Sequence, residues 1–151
     1  MEIREDDPRS DQAVRLLREH LEDMAVHSPP ESIHALDIDE LRSPKVTFFT
    51  AWEGAKLLGC GALLDLGHQQ GEIKSMRTAK GHLRKGVARE VLRHIIAEAE
   101  QRSYTRLSLE TGSMEAFAPA RALYAGFGFS FCDPFADYAP DRNSVFMTRL
   151  L

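Results

Sequence analysis

The feature that most restricts the fold of this 151-residue chain is a run of three strand-like segments followed by one long amphipathic helix. Residues 46–53 and 56–65 are rich in β-branched, aromatic and aliphatic side chains, and a two-residue turn separates them. A second turn at 67–71 leads into residues 72–78. Turns this short leave no room for a helix between neighbouring strands, so the pattern predicts an antiparallel meander.

The second half of the chain alternates helix and strand. A long helix is predicted for residues 86–102, because its apolar residues recur at helical spacing on one side. Strand 105–111, helix 117–127 and a last strand at 144–150 follow. The predicted order is β-α-α-β-β-β-α-β-α-β-β. It describes an α/β (α+β) fold with a mixed, mostly antiparallel sheet of about seven strands flanked by about four helices on both faces.

The N-terminal part supplies an edge strand around Ile3 and two helices. Asp7 followed by Pro8 predicts a helix cap, and residues 9–26 then carry apolar side chains at helical spacing. A second, shorter helix is predicted within residues 31–43, before Pro44.

Composition restricts the classes of function. The length fits a single domain, 1–151, and the net charge of −4 argues against general nucleic-acid binding. The acidic N-terminus is unlike a signal peptide, and no apolar run is long enough to cross a bilayer. The two cysteines, Cys60 and Cys132, are expected to be free thiols in a reducing cytoplasm. The scattered histidines predict no metal site.

Residues 83–88, Leu-Arg-Lys-Gly-Val-Ala, carry the sharpest chemical signal, because they lie between a strand and the long helix. Gly86 allows a ligand to approach the backbone closely, and a helix N-terminus favours phosphate. Arg84 and Lys85 add positive charge. The segment predicts a pyrophosphate site, and the alternative is an ordinary helix start with a basic first turn.

Residues 120–129, Ala-Arg-Ala-Leu-Tyr-Ala-Gly-Phe-Gly-Phe, carry a second signal. A tyrosine near the end of a helix, followed by Gly-Phe at the start of a strand, is by itself better explained by packing.

In this order, the two segments resemble the GNAT superfamily of N-acetyltransferases over nearly the whole chain. The family's pyrophosphate loop reads Gln/Arg-x-x-Gly-x-Gly/Ala, and Gly86 and Ala88 match it while Leu83 replaces its first residue. The family's later pattern is Asn-x-x-Ala-x-x-Leu-Tyr-x-x-x-Gly-Phe, with Phe117 at the Asn position. The residues that match it are Ala120, Leu123, Tyr124, Gly128 and Phe129.

The resemblance implies acetyl-CoA as co-substrate, held in a gap where strands 72–78 and 105–111 move apart. The backbone of Met76 and Thr78 would pair with the pantetheine amides, much as an added strand pairs with a sheet edge. The implied cofactor-binding residues are Met76, Arg77, Thr78, Arg84, Lys85, Gly86, Val87, Ala88, Phe117 and Tyr124.

The same resemblance gives catalytic roles. Tyr124 is expected to be the general acid for the leaving thiolate, with a packing tyrosine as the alternative. Glu72 ranks first as general base and Glu110 second, and a backbone carbonyl acting through water is a third option. A backbone N–H near Met76 or Arg77 is expected to stabilise the oxyanion.

The acceptor side is expected to lie in residues 24–44 and 132–143. Its substrate-binding candidates are His34, Arg77, Arg121 and Tyr138. Carboxylates in these segments would hold an amine, and Arg77 or Arg121 would hold a substrate carboxylate. The predicted function is N-acetyl transfer to a primary amine of a small molecule, with no nucleic-acid or membrane partner. A protein lysine or N-terminus as acceptor, a non-catalytic acyl-CoA sensor, and a homodimer remain open.

Overall fold

The predicted meander is present in the structure, a computed structural model that describes residues 1–151. Three consecutive strands form it and an N-terminal strand lies at its edge, so that four strands pair antiparallel, each with the next in the sheet. They are β1 (Glu2–Glu5), β2 (Val46–Glu53), β3 (Lys56–Gly67) and β4 (Gln70–Thr78). Short turns between β2, β3 and β4 dictate this arrangement, because only antiparallel neighbours can be joined so closely.

The remaining strands complete a seven-stranded sheet in the order β1-β2-β3-β4-β5-β7-β6. They are β5 (Arg106–Gly112), β6 (Ser130–Cys132) and β7 (Ser144–Leu150). β5 runs parallel to β4, and β7 pairs antiparallel with both β5 and β6. The prediction of a mixed, mostly antiparallel sheet of about seven strands is therefore confirmed, as is the predicted order of helices and strands along the chain.

Four α-helices cover the sheet, and two apolar clusters hold them in place. The helices are α1 (Asp11–His27), α2 (Ile38–Leu41), α3 (Val87–Gln101) and α4 (Ala118–Gly126). One cluster joins the sheet to α3 and α4, and a smaller one joins it to α1 and α2. No helix has the length and apolar character needed to cross a membrane.

The first two helices begin later than the sequence predicts. The Asp7 carboxylate binds Arg9 instead of capping a helix, and Ser10 caps α1 by accepting from the N–H of Ala13. Within 31–43, only Ile38–Leu41 is α-helical, because Asp37 and Glu40 form a reciprocal capping box that starts the helix there. A single 3₁₀ turn at Pro30–Ser32 precedes it.

Two glycines of β3 set how closely α3 approaches the sheet. A Cβ on Gly61 would lie 2.6 Å from Met76 Sδ and 2.8 Å from Val91 Cγ1, and one on Gly59 would lie 2.7 Å from Val87 Cγ1. These contacts are closer than any side chain tolerates, so only glycine lets α3 pack at this distance. The N-terminus of α3 is thereby fixed against the end of β4.

β4 and β5 separate partway along their length. They pair from Gln70 with Arg106 as far as Ile73 with Leu109, although both strands continue beyond that point. A bulge opposite Gly61 disturbs the register of β4 against β3 in the same stretch. The gap that the family resemblance implies is therefore present.

Candidate active site

A cavity of about 120 Å³ lies where β4 and β5 separate. Its walls come from β4, β5, α1, α4 and the segment before α2. They are lined by His20, Met24, His34, Ala35, Glu72, Ile73, Lys74, Ser75, Met76, Glu110, Thr111, Phe117, Ala120 and Tyr124. The three residues predicted to be catalytic, Glu72, Glu110 and Tyr124, thus line one cavity, which we call the cleft.

Tyr124 projects from α4 and is 6% exposed. Burial raises the pKa of its hydroxyl, and the nearby carboxylate of Glu110 raises it further. The phenol therefore stays protonated at neutral pH and is able to donate a proton or a hydrogen bond. Its ring also packs edge-on against Phe129, 6.0 Å away between centroids. Packing and chemistry are compatible roles for this side chain.

Glu72 belongs to a buried polar network. Its Oε2 accepts from the Tyr138 hydroxyl at 2.5 Å and from Lys74 Nζ at 3.2 Å, and Lys74 also donates to the Tyr138 hydroxyl at 2.9 Å. Glu72 is 3% exposed, so its side chain is buried and does not lie in solvent at the strand end. β4 also begins at Gln70, two residues earlier than the sequence indicates. One oxygen of the Glu72 carboxylate, Oε2, is therefore already engaged by an ammonium and a phenol.

Glu110 lies across the cleft on β5, one residue past the last paired position. Burial raises the pKa of its carboxyl, and the nearby Ser144 hydroxyl and the charges of His34 and Lys74 partly oppose this shift. None of the ion pairs of the chain involves Glu110. A carboxyl with a raised pKa and no ion-pair partner is better suited to act as a base than Glu72.

The N-terminus of α3 has the geometry of an anion site. Gly86 caps the helix at φ +81° with no side-chain hydrogen bond, and the first amide bonded within the helix is that of Glu90, which donates to the Gly86 carbonyl. The earlier amides of the first turn are left without helical partners. Space is open around Gly86, since a Cβ there would meet no atom within 4 Å. Arg84 and Lys85 are exposed beside it, so this end of α3 is able to bind a phosphate.

The structure does not bring the Arg77 and Arg121 guanidinium groups into the cleft. Arg77 is ion-paired with α1, at 3.0 Å to Glu19 and 2.6 Å to Asp23. Arg121 Nη1 donates to the carbonyls of Gly112 and Met114 at 2.8 and 2.9 Å, which ties α4 to the segment after β5. Lys74 is the cation that lines the cleft.

Phe117, at the position where the family pattern has asparagine, lines the cleft with an apolar ring. The ring covers Gly112, since a Cβ on that glycine would lie 2.2 Å from Phe117 Cδ2. Its other neighbour is the His27 ring at the end of α1, 6.2 Å away between centroids. Phe117 thus closes one end of the cleft between α1 and α4.

The acceptor-side candidates His34 and Tyr138 lie together, with ring centroids 4.9 Å apart in an edge-to-face contact. His34 lines the cleft. The Tyr138 hydroxyl is hydrogen-bonded to two residues that line it, Glu72 and Lys74. His34 and Tyr138 both come from the segments expected to form the acceptor side. The loop before β7 therefore supports the acceptor side of the cleft through Tyr138.

Sequence reasoning did not single out several residues of the cleft, among them His20 of α1 and Ser75 of β4. Burial lowers the pKa of His20 to about 4, and the charge of Arg77 contributes in the same direction. His20 is therefore neutral at physiological pH. Its position three residues after Leu17 and four before Met24 puts it on the inward face of α1, and this spacing was the signal available in the sequence.

Lys74→Met is expected to destabilise the protein by about 3–5 kcal/mol, because it leaves the Glu72 carboxylate buried without its cation. Lys74 and Glu72 side chains are 8% and 4% exposed, so solvent cannot compensate. Urea unfolding measures the loss, and adding Glu72→Gln to the variant should recover most of it. Lys56→Met, at an exposed lysine of β3, is the matched control. Equal stability of the two single variants would contradict the prediction.

Comparison with known proteins places the chain in a family. A model of the acetyltransferase (GNAT) family matches residues 13–129. The protein named uncharacterized N-acetyltransferase YsnE, from Bacillus subtilis (strain 168), is 62% identical over 151 residues, with 100% of each chain covered. Uncharacterized N-acetyltransferase YedL, from Escherichia coli (strain K12), is 48% identical over 149 residues, covering 99% of this chain and 94% of that protein.

A solved structure shows the same fold. The crystal structure of PaiA N-acetyltransferase from Thermoplasma acidophilum, in complex with coenzyme A, matches with a TM-score of 0.76. The match covers 99% of this chain and 98% of that one at 15% sequence identity. At that identity, the likeness is one of architecture.

Proposed function

Because the chain belongs to the acetyltransferase (GNAT) family and is an acyltransferase, we propose that it transfers an acetyl group from acetyl-CoA to the primary amine of a small molecule. One observation carries the proposal. Tyr124, a candidate acid, and Glu110, a candidate base, line the same buried cleft between the separated strands. The reaction needs an acid and a base held close together, and a binding module would need neither.

The residues around the cleft and the start of α3 fit acetyl-CoA as the acyl donor. Beyond Ile73, β4 has no partner on its β5 side, so backbone groups of Met76 and Thr78 are available to amides of the pantetheine arm. The end of α3, with Gly86, Arg84 and Lys85, is suited to the pyrophosphate. Val87 and Ala88 would offer their amides there. Phe117 and Tyr124 would contact the arm from α4.

Each proton of the reaction has a residue to take or give it. Acetyl-CoA would supply a thioester, whose carbonyl carbon gains a bond to the amine nitrogen and loses its bond to sulfur. Glu110 takes the proton that the nitrogen releases on bonding, and Tyr124 gives its proton to the departing sulfur. Proton exchange with water then resets both side chains. Glu72 holds Lys74 and Tyr138 in place on the acceptor side instead of acting as the base.

The size and charge of the cleft support a small acceptor. The cleft has a volume of about 120 Å³, and His34, packed against Tyr138, lines its acceptor side. Lys74 uses two of its three N–H donors on Glu72 and Tyr138, so the third would be left for a carboxylate of the acceptor, a role that the sequence suggested for Arg77 or Arg121. An amine that also bears a carboxylate is therefore the acceptor class we propose. The free thiols Cys60 and Cys132 are in keeping with a reducing cytoplasm.

A thiol-release assay with acetyl-CoA tests the proposal, using one panel of amino acids and simple amines and a second panel of lysine and N-terminal peptides. Turnover with carboxylate-bearing amines, and none with their esters, is the expected result. Turnover confined to peptides would replace the proposal with protein acetylation. Tight acetyl-CoA binding without turnover on any amine would indicate a sensor.

Tyr124→Phe should lower kcat by about 10²-fold while leaving CoA affinity unchanged, because it removes one acid and keeps the ring. Steady-state kinetics and calorimetric titration with CoA measure the two quantities. Tyr104→Phe, at a tyrosine outside the cleft, is the matched control. If Tyr124→Phe retains wild-type kcat, Tyr124 has only the packing role.

A further inference from the structure

Ser75 has a buried hydroxyl with no partner. The residue is 8% exposed, its Oγ makes no hydrogen bond in the chain, and it lines the cleft. Buried polar groups are almost always bonded, since leaving one unpaired costs about 1–3 kcal/mol. An unpaired hydroxyl at the wall of a binding cavity is explained if a ligand supplies the partner.

The backbone of Ser75 is also unusual. Its φ is +56°, a conformation that residues other than glycine seldom adopt. The residue is part of the bulge of β4, and its carbonyl oxygen accepts from Cys60 Sγ at 3.3 Å on the β3 side. Strained residues of this kind tend to cluster where a ligand or a reacting group is positioned. The strain and the unpaired hydroxyl fall on the same residue of the cleft.

The order of residues along β4 indicates which part of the donor reaches Ser75. The proposed pyrophosphate site at Gly86 lies beyond the C-terminal end of β4. A pantetheine arm starting there runs back along the strand, past Thr78 and then Met76. The next residue in line is Ser75, so the thioester at the end of such an arm would lie near the unpaired hydroxyl.

We propose that the Ser75 hydroxyl donates a hydrogen bond to the carbonyl oxygen of the donor's thioester. The inference rests on the proposed function, since it requires an acyl-CoA in the cleft. Negative charge grows on that oxygen as the amine attacks, so a fixed donor there lowers the barrier. Ser75 thus adds a side-chain donor to the backbone N–H expected near Met76 or Arg77. It is distinct from Glu110 and Tyr124, which move protons at the nitrogen and the sulfur.

Ser75→Ala distinguishes binding of the acetyl group from binding of the rest of the coenzyme. Affinity for acetyl-CoA should fall about fivefold by calorimetric titration, the effect of one hydrogen bond, while affinity for CoA stays the same. kcat should fall further, by about 10²-fold, because the developing charge is bound more strongly than the ground state. The melting temperature of the ligand-free protein should stay the same or rise, since the variant removes an unpaired hydroxyl.

Two further variants keep the test decisive. Ser103→Ala makes the same substitution at a serine of similar φ, +61°, on an exposed turn after α3, and should change none of these quantities. Ser75→Gly also lacks the hydroxyl but relaxes the backbone, so it should fold and show the same losses. If Ser75→Ala and Ser75→Gly keep the wild-type ratio of acetyl-CoA to CoA affinity and the wild-type kcat, the role of Ser75 is overturned while the acetyltransferase proposal stands. If the wild type does not bind acetyl-CoA, both are overturned.

Discussion

Gly86→Glu is expected to abolish CoA binding, with a Kd at least about 100-fold higher, while the protein remains folded. Gly86 sits at the start of α3 where the free amides converge, and nothing in the chain lies within 4 Å of a Cβ added there. The new side chain therefore occupies the space of the ligand, and its charge repels a phosphate from the helix end. Calorimetric titration with CoA measures the loss, and circular dichroism checks the fold.

Two control variants distinguish an effect on the ligand site from an effect of backbone strain. Any residue other than glycine is strained at φ +81°, so Gly86→Gln carries the same strain and nearly the same volume without the charge. We expect it to bind CoA more tightly than Gly86→Glu. Gly54→Glu introduces the same side chain at another positive φ, +59°, in the β2–β3 turn, and should leave the affinity unchanged. Wild-type affinity in folded Gly86→Glu would show that the donor does not bind at α3.

Glu110→Gln is expected to lower kcat by about 10²–10⁴-fold, the usual contribution of a general base. The wild-type pH profile of kcat/KM should rise with pH through the pKa of Glu110, which burial places above its ordinary value. The base works only when deprotonated, so activity is lost as pH falls through that pKa. The variant should lack this limb of the profile. A retained limb with undiminished kcat would exclude Glu110 as the base.

The same variant should be more stable than the wild type at neutral pH. A carboxyl whose pKa is raised on folding favours the protonated form in the native state. The resulting stabilisation is complete below about pH 4 and is lost as pH rises through the folded pKa. Gln carries no charge to bury, so the difference in the free energy of unfolding should shrink as the solution is acidified. Urea unfolding at several pH values measures it.

Glu72→Gln provides the contrast, because the two carboxylates have different surroundings. It removes the anion that compensates Lys74, so it should lower stability at neutral pH, opposite in sign to Glu110→Gln. If Glu72→Gln instead abolishes the acid limb of the pH profile, the base is Glu72, the residue that the sequence alone ranks first.

Local sequence determined the elements of this protein and the anion-site geometry at the start of α3. The short turns between 46 and 78 fixed an antiparallel meander, and the apolar periodicity of 86–102 fixed the helix behind it. Gly86 and the basic residues before it marked the start of that helix as an anion site. Each of these features depends on residues close together in the chain, for which backbone preferences and side-chain spacing are sufficient.

Tertiary structure alone decided the chemistry of the cleft. Tyr138 is 66 residues from Glu72 in sequence, yet its hydroxyl and Lys74 hold that carboxylate, whereas Glu110 has no such cation. No local pattern distinguishes two glutamates whose surroundings differ in burial and in the groups that other elements bring near them. The ion pairs that turn Arg77 toward α1, and the unpaired hydroxyl of Ser75, likewise exist only once β4 and β5 separate and α1 packs against the sheet. The sequence therefore determined which groups the cleft contains, and packing determined which of them are free to react.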